Sequence, residues 1–430
     1  MKGGETMKGK LLVFLAIALL STVLCAKEIT FWFAGGDPTL DLPVVQRQVE
    51  EFEKETGIKV KLVVVPWAED PHTKLQVAIM SGKAPDLVKL GSPFEHVLAR
   101  FGVLEPLDGL ISEELKEQLL PSVLTASLYT SITPKDMTGK LISIPYFTDT
   151  RAILYRKDIF QERDVPEPIG WTWSEFVTYA KQLTFDRDGD GKIDVYGFGT
   201  AANYTYQAVM YAWQAGGELM GADDRPAFTT DEFNEGIQFY ADLFNVHKVV
   251  QPGAINVDLW DVRRQLAEGT VAMYIDAGDS AKELQKILED TLGVGLLPTN
   301  EKTGKFTSYF GSDALVIPKQ SRNKSEAAKL LEWLVDKDHM TEYCIASGFL
   351  PARLDSAADP HFSDSPVVSM YLRQLEDAHA WIAHPEANFI ARTLRVEIQN
   401  AISENSDIAA ALKTAQELVE KQLKDKGFLK

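Results

Sequence analysis

The most crowded set of chemistry-bearing residues is the run Asp186, Asp188, Asp190, Gly191 and Asp194. Acidic groups on alternate positions followed by a glycine are the opening of a calcium loop. The twelfth position is Gly197, where a bidentate glutamate would complete the shell. Four carboxylates this close repel one another unless a cation or solvent compensates. The loop therefore reads either as a weak structural calcium site or as a solvated Asp-Gly turn, remote from any ligand pocket in both cases.

Aromatic residues form the second set: Trp67, Trp171, Trp173, Tyr204, Tyr206, Tyr211, Trp213, Trp260 and Trp381. Sugar rings carry apolar C–H faces that pack on flat aromatic rings, while their hydroxyls need carboxylates, amides or arginine. The same rings also fill cores, so supply alone does not make a pocket. Asp149, Asp276 and Asp279 could supply the paired carboxylates of glycoside hydrolysis. The string from Gly197 to Ala202 fits G-x-G-x-x-A but lacks the full strand before it that a dinucleotide site requires. Walker, G-x-S-x-G and H-E-x-x-H motifs are absent, and His379 and His384 stand five apart, off the spacing that lets two imidazoles share a zinc. Neither a catalytic constellation nor an organic cofactor is indicated.

With 430 residues, 45% of them hydrophobic and 25% charged, the chain can build two or three packed cores. Its formal charge of −18 opposes contact with nucleic acid or anionic lipid. Cys25 and Cys344 are the only cysteines, too few for a multi-bridge framework or a cysteine-rich zinc site. Lys8 and Lys10 precede the apolar run Leu11 to Leu20 and then smaller residues up to Cys25 and Ala26, the layout of a secretory signal peptide, with Met7 as its natural start. The run is too short to span a bilayer. Leu24 stands where lipid attachment at Cys25 wants a small residue, which argues against a lipoprotein anchor. Cleavage after residue 26 removes Lys2, Glu5, Lys8 and Lys10 and leaves 41 basic and 61 acidic residues, a charge of −20, with Cys344 as the single thiol. A periplasmic or extracytoplasmic location and a monomeric chain are expected.

The elements that must position these groups alternate. Ile29, Phe31 and Phe33 predict a strand; a helix follows with Asp41 as N-cap, Pro43 in its first turn and Gly57 past its end. Strand-like Ile58 to Val65, a helix over Pro71 to Ser81 and a short strand at Asp86 to Leu90 complete β-α-β-α-β, which predicts a mostly parallel sheet. Further strands are predicted at 142–144 and 152–155, and helices at 174–183, 230–245, 324–335 and 408–424. No repeat or Gly/Ser linker separates the blocks, so two lobes joined by short crossings are expected.

In this order the motifs resemble a known family. They are FEKETGIKV at Phe52 to Val60, SGKAPDLV at Ser81 to Val88, GVLEPLD at Gly102 to Asp108, and the long string from Gly139 to Phe160. WTWSEF at Trp171 to Phe176, GTVAMYI at Gly269 to Ile275 and ASGFLPAR at Ala346 to Arg353 follow. The chain is similar to the extracellular solute-binding proteins of ABC importers, in the maltose/oligosaccharide branch. The resemblance implies a periplasmic-binding-protein-like α/β fold whose two lobes, each with a mostly parallel sheet, close on a carbohydrate. It implies lobe 1 over 27–147 plus 313–350 and lobe 2 over 151–309 plus 351–430, with crossings near 147–150, 310–312 and 350–352. Permease subunits are the implied partner. By position, Asp37 and Ser92 match ligand loops of the first lobe, Asp149 a hinge-side carboxylate, Tyr206 and Trp213 stacking rings of the second lobe, and Arg353 a hydroxyl-binding arginine. Trp67 and Ser312 join them as candidates. Where many relatives carry a stacking tryptophan after GTVAMYI, this chain has Asp276 and Asp279, and another aromatic platform is replaced by Asp313. These carboxylates point to a hydroxyl-rich ligand held more by hydrogen bonds than by stacking. A secreted glycoside hydrolase, or the same fold with a polyol, a peptide or an acidic solute, are the alternatives.

Overall fold

The computed structural model describes residues 27–429 apart from 93, 121–122, 125–126, 130–134, 222 and 383. The expected signal peptide and Cys25 lie outside the described residues. Among those described, no helix is long and apolar enough to cross a membrane.

Among the described residues ten strands form two sheets. In the first, β1 (Glu28–Ala34) lies between β2 (Lys59–Val65) and β3 (Leu87–Gly91), parallel to both, as the β-α-β-α-β pattern predicts. Beyond β3 comes β9 (Ser308–Val316), antiparallel to it; β9 also pairs antiparallel with β4 (Ile144–Thr150) and parallel with β10 (Ala378–Ala380). The second sheet runs β6 (Tyr196–Gly199), β7 (Val271–Asp276), β5 (Ala152–Arg156), β8 (Leu292–Gly295). It is mixed rather than mostly parallel. Strand β5 enters directly from the crossing at β4 and runs antiparallel to both β7 and β8; only β6 and β7 are parallel.

Both faces of each sheet are covered. Along β5, Ile153 and Tyr155 enter one core while Ala152 and Leu154 enter another, the two-residue alternation of a strand buried on both sides. In the first lobe Phe31 and Phe33 pack under the helix Leu42–Thr56, whose Val45, Val49 and Phe52 make one buried face. The closing helices Ala387–Glu404 and Ile408–Asp425 bury Leu394, Ile398, Leu412 and Val419 in the second-lobe core. The stretch after 350, assigned from sequence to lobe 2, is divided. Ala352 and Phe362 pack in the first-lobe core, the helix Pro366–Leu375 that follows buries Tyr371 in a second-lobe core with Ala152 and Leu154, and β10 pairs with the hinge end of β9, so this stretch passes back across the hinge before the last two helices.

The hinge is a strip of three segments. Thr148, Asp149 and Thr150 of β4 oppose Ser312, Gly311 and Phe310 of β9. On the other edge the Thr148 amide donates to the Leu350 carbonyl at 2.8 Å and the Leu350 amide to the Thr148 carbonyl at 2.9 Å. Side chains alternate across such a strip, so Phe147 and Phe349 face one side, stacked at 4.0 Å and 4°.

Candidate functional site

A cleft of about 330 Å³ opens between the lobes on the side of Phe147 and Phe349. Its walls come from the carboxyl ends of strands, where α/β folds place ligands. The loop after β1 brings Asp37, the end of β3 brings Lys89, and the helix start after β7 brings Asp279. Trp67 follows β2 in a short 3-10 turn, and Trp260 and Arg263 stand on the helix Leu259–Glu268 of the second lobe.

The two tryptophans are unusual for their type: Trp67 is 49% exposed and Trp260 is 55% exposed, yet both line the cleft. Trp67 lies flat over Gly35, which adopts φ +75° and could carry no side chain, since a Cβ there would meet the indole nitrogen at 2.1 Å. Behind it His72 meets the indole edge-on at 5.7 Å and stacks on Phe94 at 4.2 Å. Burial pushes the His72 pKa down to about 4, so a neutral ring backs the platform. Trp260 is capped by the Arg263 guanidinium, 4.1 Å from its ring centre.

Charge alternates along the cleft. Lys89 is buried; its ammonium pairs with Asp313, donates to the Ala34 carbonyl at 2.9 Å and sits 4.4 Å from the centre of the Phe33 ring. Arg263 reaches Asp276 and Asp279, each at 3.6 Å, and also bonds Glu283 and Ser280. Arg151 holds Asp149 at 2.5 Å and lies over the rings of Tyr206 and Tyr309 at 5.2 and 5.1 Å. Burial raises the pKa of Asp149 and of Asp313, offset in part by Arg151 and Lys89 respectively. Asp279 rises to about 6, through burial first and the neighbouring Asp276 second. Asp37 moves the other way: burial acts to raise it, but hydrogen bonds from Thr39 and Leu40 and the field of Arg263 across the cleft prevail. The site thus offers acceptors, cationic donors and two ring faces within one cavity, the mixture a polyhydroxylated ligand requires.

Of the residues singled out by sequence, Asp37, Trp67 and Asp279 line this cleft. Asp276 stands behind it, its carboxylate accepting from the Ala277 amide at 2.9 Å and the Ser280 hydroxyl at 2.5 Å. Asp149 and Tyr206 sit at the hinge around Arg151, with Tyr206 stacked on Tyr309 at 5.0 Å. Ser312 is a buried hinge residue, and Ser92 donates its amide to the Ser312 carbonyl at 2.9 Å and its hydroxyl to Glu95 at 2.7 Å. Two assignments are corrected. Trp213 is 2% exposed, packed between His379 at 4.5 Å and Trp381 at 6.0 Å, and is a core residue of the helix Thr205–Ala215. Arg353 is buried outside the cleft lining, its guanidinium held on both Asp355 oxygens, at 2.8 and 2.7 Å, and on the Val335 carbonyl at 3.1 Å.

Sequence reasoning missed Lys89, Arg263, Phe147, Phe349 and the placement of Trp260. A signal existed for some of them. Lys89 interrupts an otherwise apolar strand, and Trp260 and Arg263 are three apart on a helix and therefore on one face. In the acidic loop, oxygens of Asp186, Asp188 and Asp194 lie within 4.8 Å of one another, whereas Asp190 turns to its own Lys192 at 3.3 Å.

The sequence pattern described as bacterial extracellular solute-binding protein matches residues 37–341. A binding protein of Brucella abortus is 26% identical over 376 residues, 86% of this chain and 87% of that one. A mannitol-binding protein of Pseudomonas aeruginosa is 26% identical over 254 residues, 58% of this chain and 55% of that one. A solute-binding protein of an ABC transporter of Thermotoga lettingae, solved with α-D-tagatose bound, superposes with a TM-score of 0.77 at 26% identity, covering 92% of this chain and 99% of that one. With a match over most of its length, two lobes, and a lined cleft between them, the chain belongs to the bacterial extracellular solute-binding proteins.

Proposed function

We propose that the protein captures a small carbohydrate or sugar alcohol in the inter-lobe cleft, outside the cytoplasmic membrane, and delivers it to the permease subunits of an ABC importer. The observation that carries this reading is the pair of half-exposed tryptophans, Trp67 from one lobe and Trp260 from the other, set among Asp37, Asp279, Asp313, Lys89 and Arg263. Rings left in water at a charged cleft are stabilised when a ligand with an apolar face covers them. A cavity of about 330 Å³ lies at the small end of ligand sites, which suits one or two sugar rings better than a long oligosaccharide. The mannitol and tagatose named for the two relatives agree with that size class.

The carboxylates also suit binding better than hydrolysis. Asp149 is tied to Arg151, and Asp276 and Asp279 share Arg263, so each carboxylate is already charge-paired and stands as an acceptor for hydroxyls, with burial raising Asp149 and Asp279 against that pairing. Isothermal titration against hexoses, hexitols and disaccharides, with product analysis of the same mixtures, tests the reading. Saturable binding with intact sugar supports it; repeated turnover of a glycoside sinks it. The acidic loop stands apart as a structural element, and a calcium ion on Asp186, Asp188 and Asp194 is the cofactor proposed for it.

A further inference from the structure

On the opposite side of the hinge strip from the sugar cleft lies a second recess, of about 520 Å³. Phe349 faces the cleft and its neighbour Leu350 faces the recess, so the strip itself separates the two. One wall is the helix Gly278–Leu288 of the second lobe; the other is the end of the helix Lys337–Ser347 of the first, with the helix Pro366–Leu375 closing the base. The lobes touch here backbone to backbone. A Cβ on Gly278 would meet the Gly348 carbonyl oxygen at 2.2 Å, so neither glycine position has room for a side chain, and Lys282 donates to the Ile345 carbonyl across the same contact.

The lining has two chemistries. Ile345, Leu350, Val367 and Val368 give an apolar floor, while Lys282 and Lys286, one helical turn apart and therefore on one face, crown it. In a chain with 62 acidic residues against 44 basic ones, no carboxylate among the described residues lines this recess. Burial and the like charge of Lys286 both depress the pKa of Lys282, the signature of an ammonium short of a counter-charge. An apolar floor beside two ammoniums with no carboxylate partner in the lining complements one kind of small molecule: an anionic head on a flexible hydrocarbon tail. A neutral sugar would leave the floor unpaired and a bare inorganic anion would leave it wet.

We propose that this recess binds a linear alkyl carboxylate of medium length, its carboxylate at Lys282 and Lys286 and its chain along Ile345, Leu350, Val367 and Val368. The test is isothermal titration of the full chain with hexanoate, octanoate and decanoate below their micelle concentrations, and with octanol as the neutral match. Burial of a methylene contributes about 0.8 kcal/mol, so affinity rises up to about fourfold per added CH₂ until the recess is full. Octanol binds at least about tenfold more weakly than octanoate. Lys286→Gln, an exposed change, and the double change Lys282→Gln with Lys286→Gln reduce octanoate to the level of octanol, and Val368→Asp abolishes binding, with the melting temperature of each free variant confirming the fold. Trp67→Ala leaves octanoate binding intact. No binding at millimolar octanoate, equal binding of octanol and octanoate, or loss of binding in Trp67→Ala each overturns the proposal.

Discussion

The aspartates of the inter-lobe cleft and those of the loop at 186–194 are comparably numerous, yet their surroundings are opposite. At the cleft and the hinge beside it, Asp149 and Asp313 are buried and Asp279 is partly so, and each faces a cation: Arg151 for Asp149, Arg263 for Asp279 and Lys89 for Asp313. In the loop the counterparts are backbone amides. Asp186 accepts from Gly189 at 2.7 Å and Gly191 at 2.6 Å, Asp194 from Arg187 at 2.7 Å, and Asp188 from Asp190 at 3.0 Å. The protonation tendencies follow the setting: burial raises the cleft carboxyls, while the Gly191 amide leads in lowering Asp186. The difference teaches that clustering of carboxylates says little about chemistry until burial is known. Water and amides suffice at the surface; at these buried positions a formal positive charge offsets the lost solvation, while buried Asp41 is held by the Asp37 amide and the Tyr343 hydroxyl.

The comparison breaks most visibly if a cleft cation is removed. Lys89→Met leaves Asp313 buried without its partner and is expected to cost about 3–5 kcal/mol in urea unfolding, much of it recovered by adding Asp313→Leu. The matched loop change, Asp188→Asn, is expected to stay within about 0.5 kcal/mol. If both changes cost the same, burial is not what separates the two regions.

Tryptophans divide along the same line. Truncating buried Trp213 to Ala is expected to destabilise the ligand-free protein by about 3–5 kcal/mol. Trp260→Ala and Trp67→Ala are instead expected to leave its melting temperature nearly unchanged and to weaken sugar binding by about 1–2 kcal/mol, roughly 5- to 30-fold. Titration calorimetry beside thermal melts distinguishes the two effects, and an unaltered affinity in both exposed variants would remove those rings from the site.

Acidity sharpens the comparison further. Asp279 has a folded pKa of about 6, above the 3.8 of an ordinary aspartate, so the folded state binds the extra proton between those values. Its contribution to stability is therefore greatest at low pH and is lost as pH rises toward and through 6. Sugar affinity is expected to run the other way, improving through the same window as the carboxylate forms and accepts hydroxyl protons. Asp279→Asn should flatten both slopes. Binding curves between pH 4.5 and 7.5, about 1.5 units either side of that value, that run parallel for the two proteins would exclude the role.

The smallest effect is reserved for the loop. Chelator is expected to lower the melting temperature slightly and calcium to restore it, with sugar affinity unchanged well below melting. No response to either agent assigns the loop to solvent and amides alone.

Much of the architecture was legible in the sequence because it follows from local periodicity. The strand at β1, the helix Leu42–Thr56 with its buried Val45, Val49 and Phe52, and the last helix, Ile408–Asp425, are set by local patterns, whereas the helix Ala387–Glu404 before it was not read from the sequence. The acidic loop, too, announced itself, being a contiguous motif. The cleft did not, since its parts come from residues 36 to 349 and meet only after the crossings at Thr148, Ser312 and Leu350 are laid side by side. Sequence fixes that Trp213 and Trp260 are both tryptophans; only packing decides that one fills a core and the other faces a ligand. Likewise Arg353 is free to serve a sugar until folding sets Asp355 and the Val335 carbonyl around it. Periodicity acts over neighbouring residues and survives in one dimension, whereas burial and charge pairing are properties of distances that exist only once the chain has closed on itself.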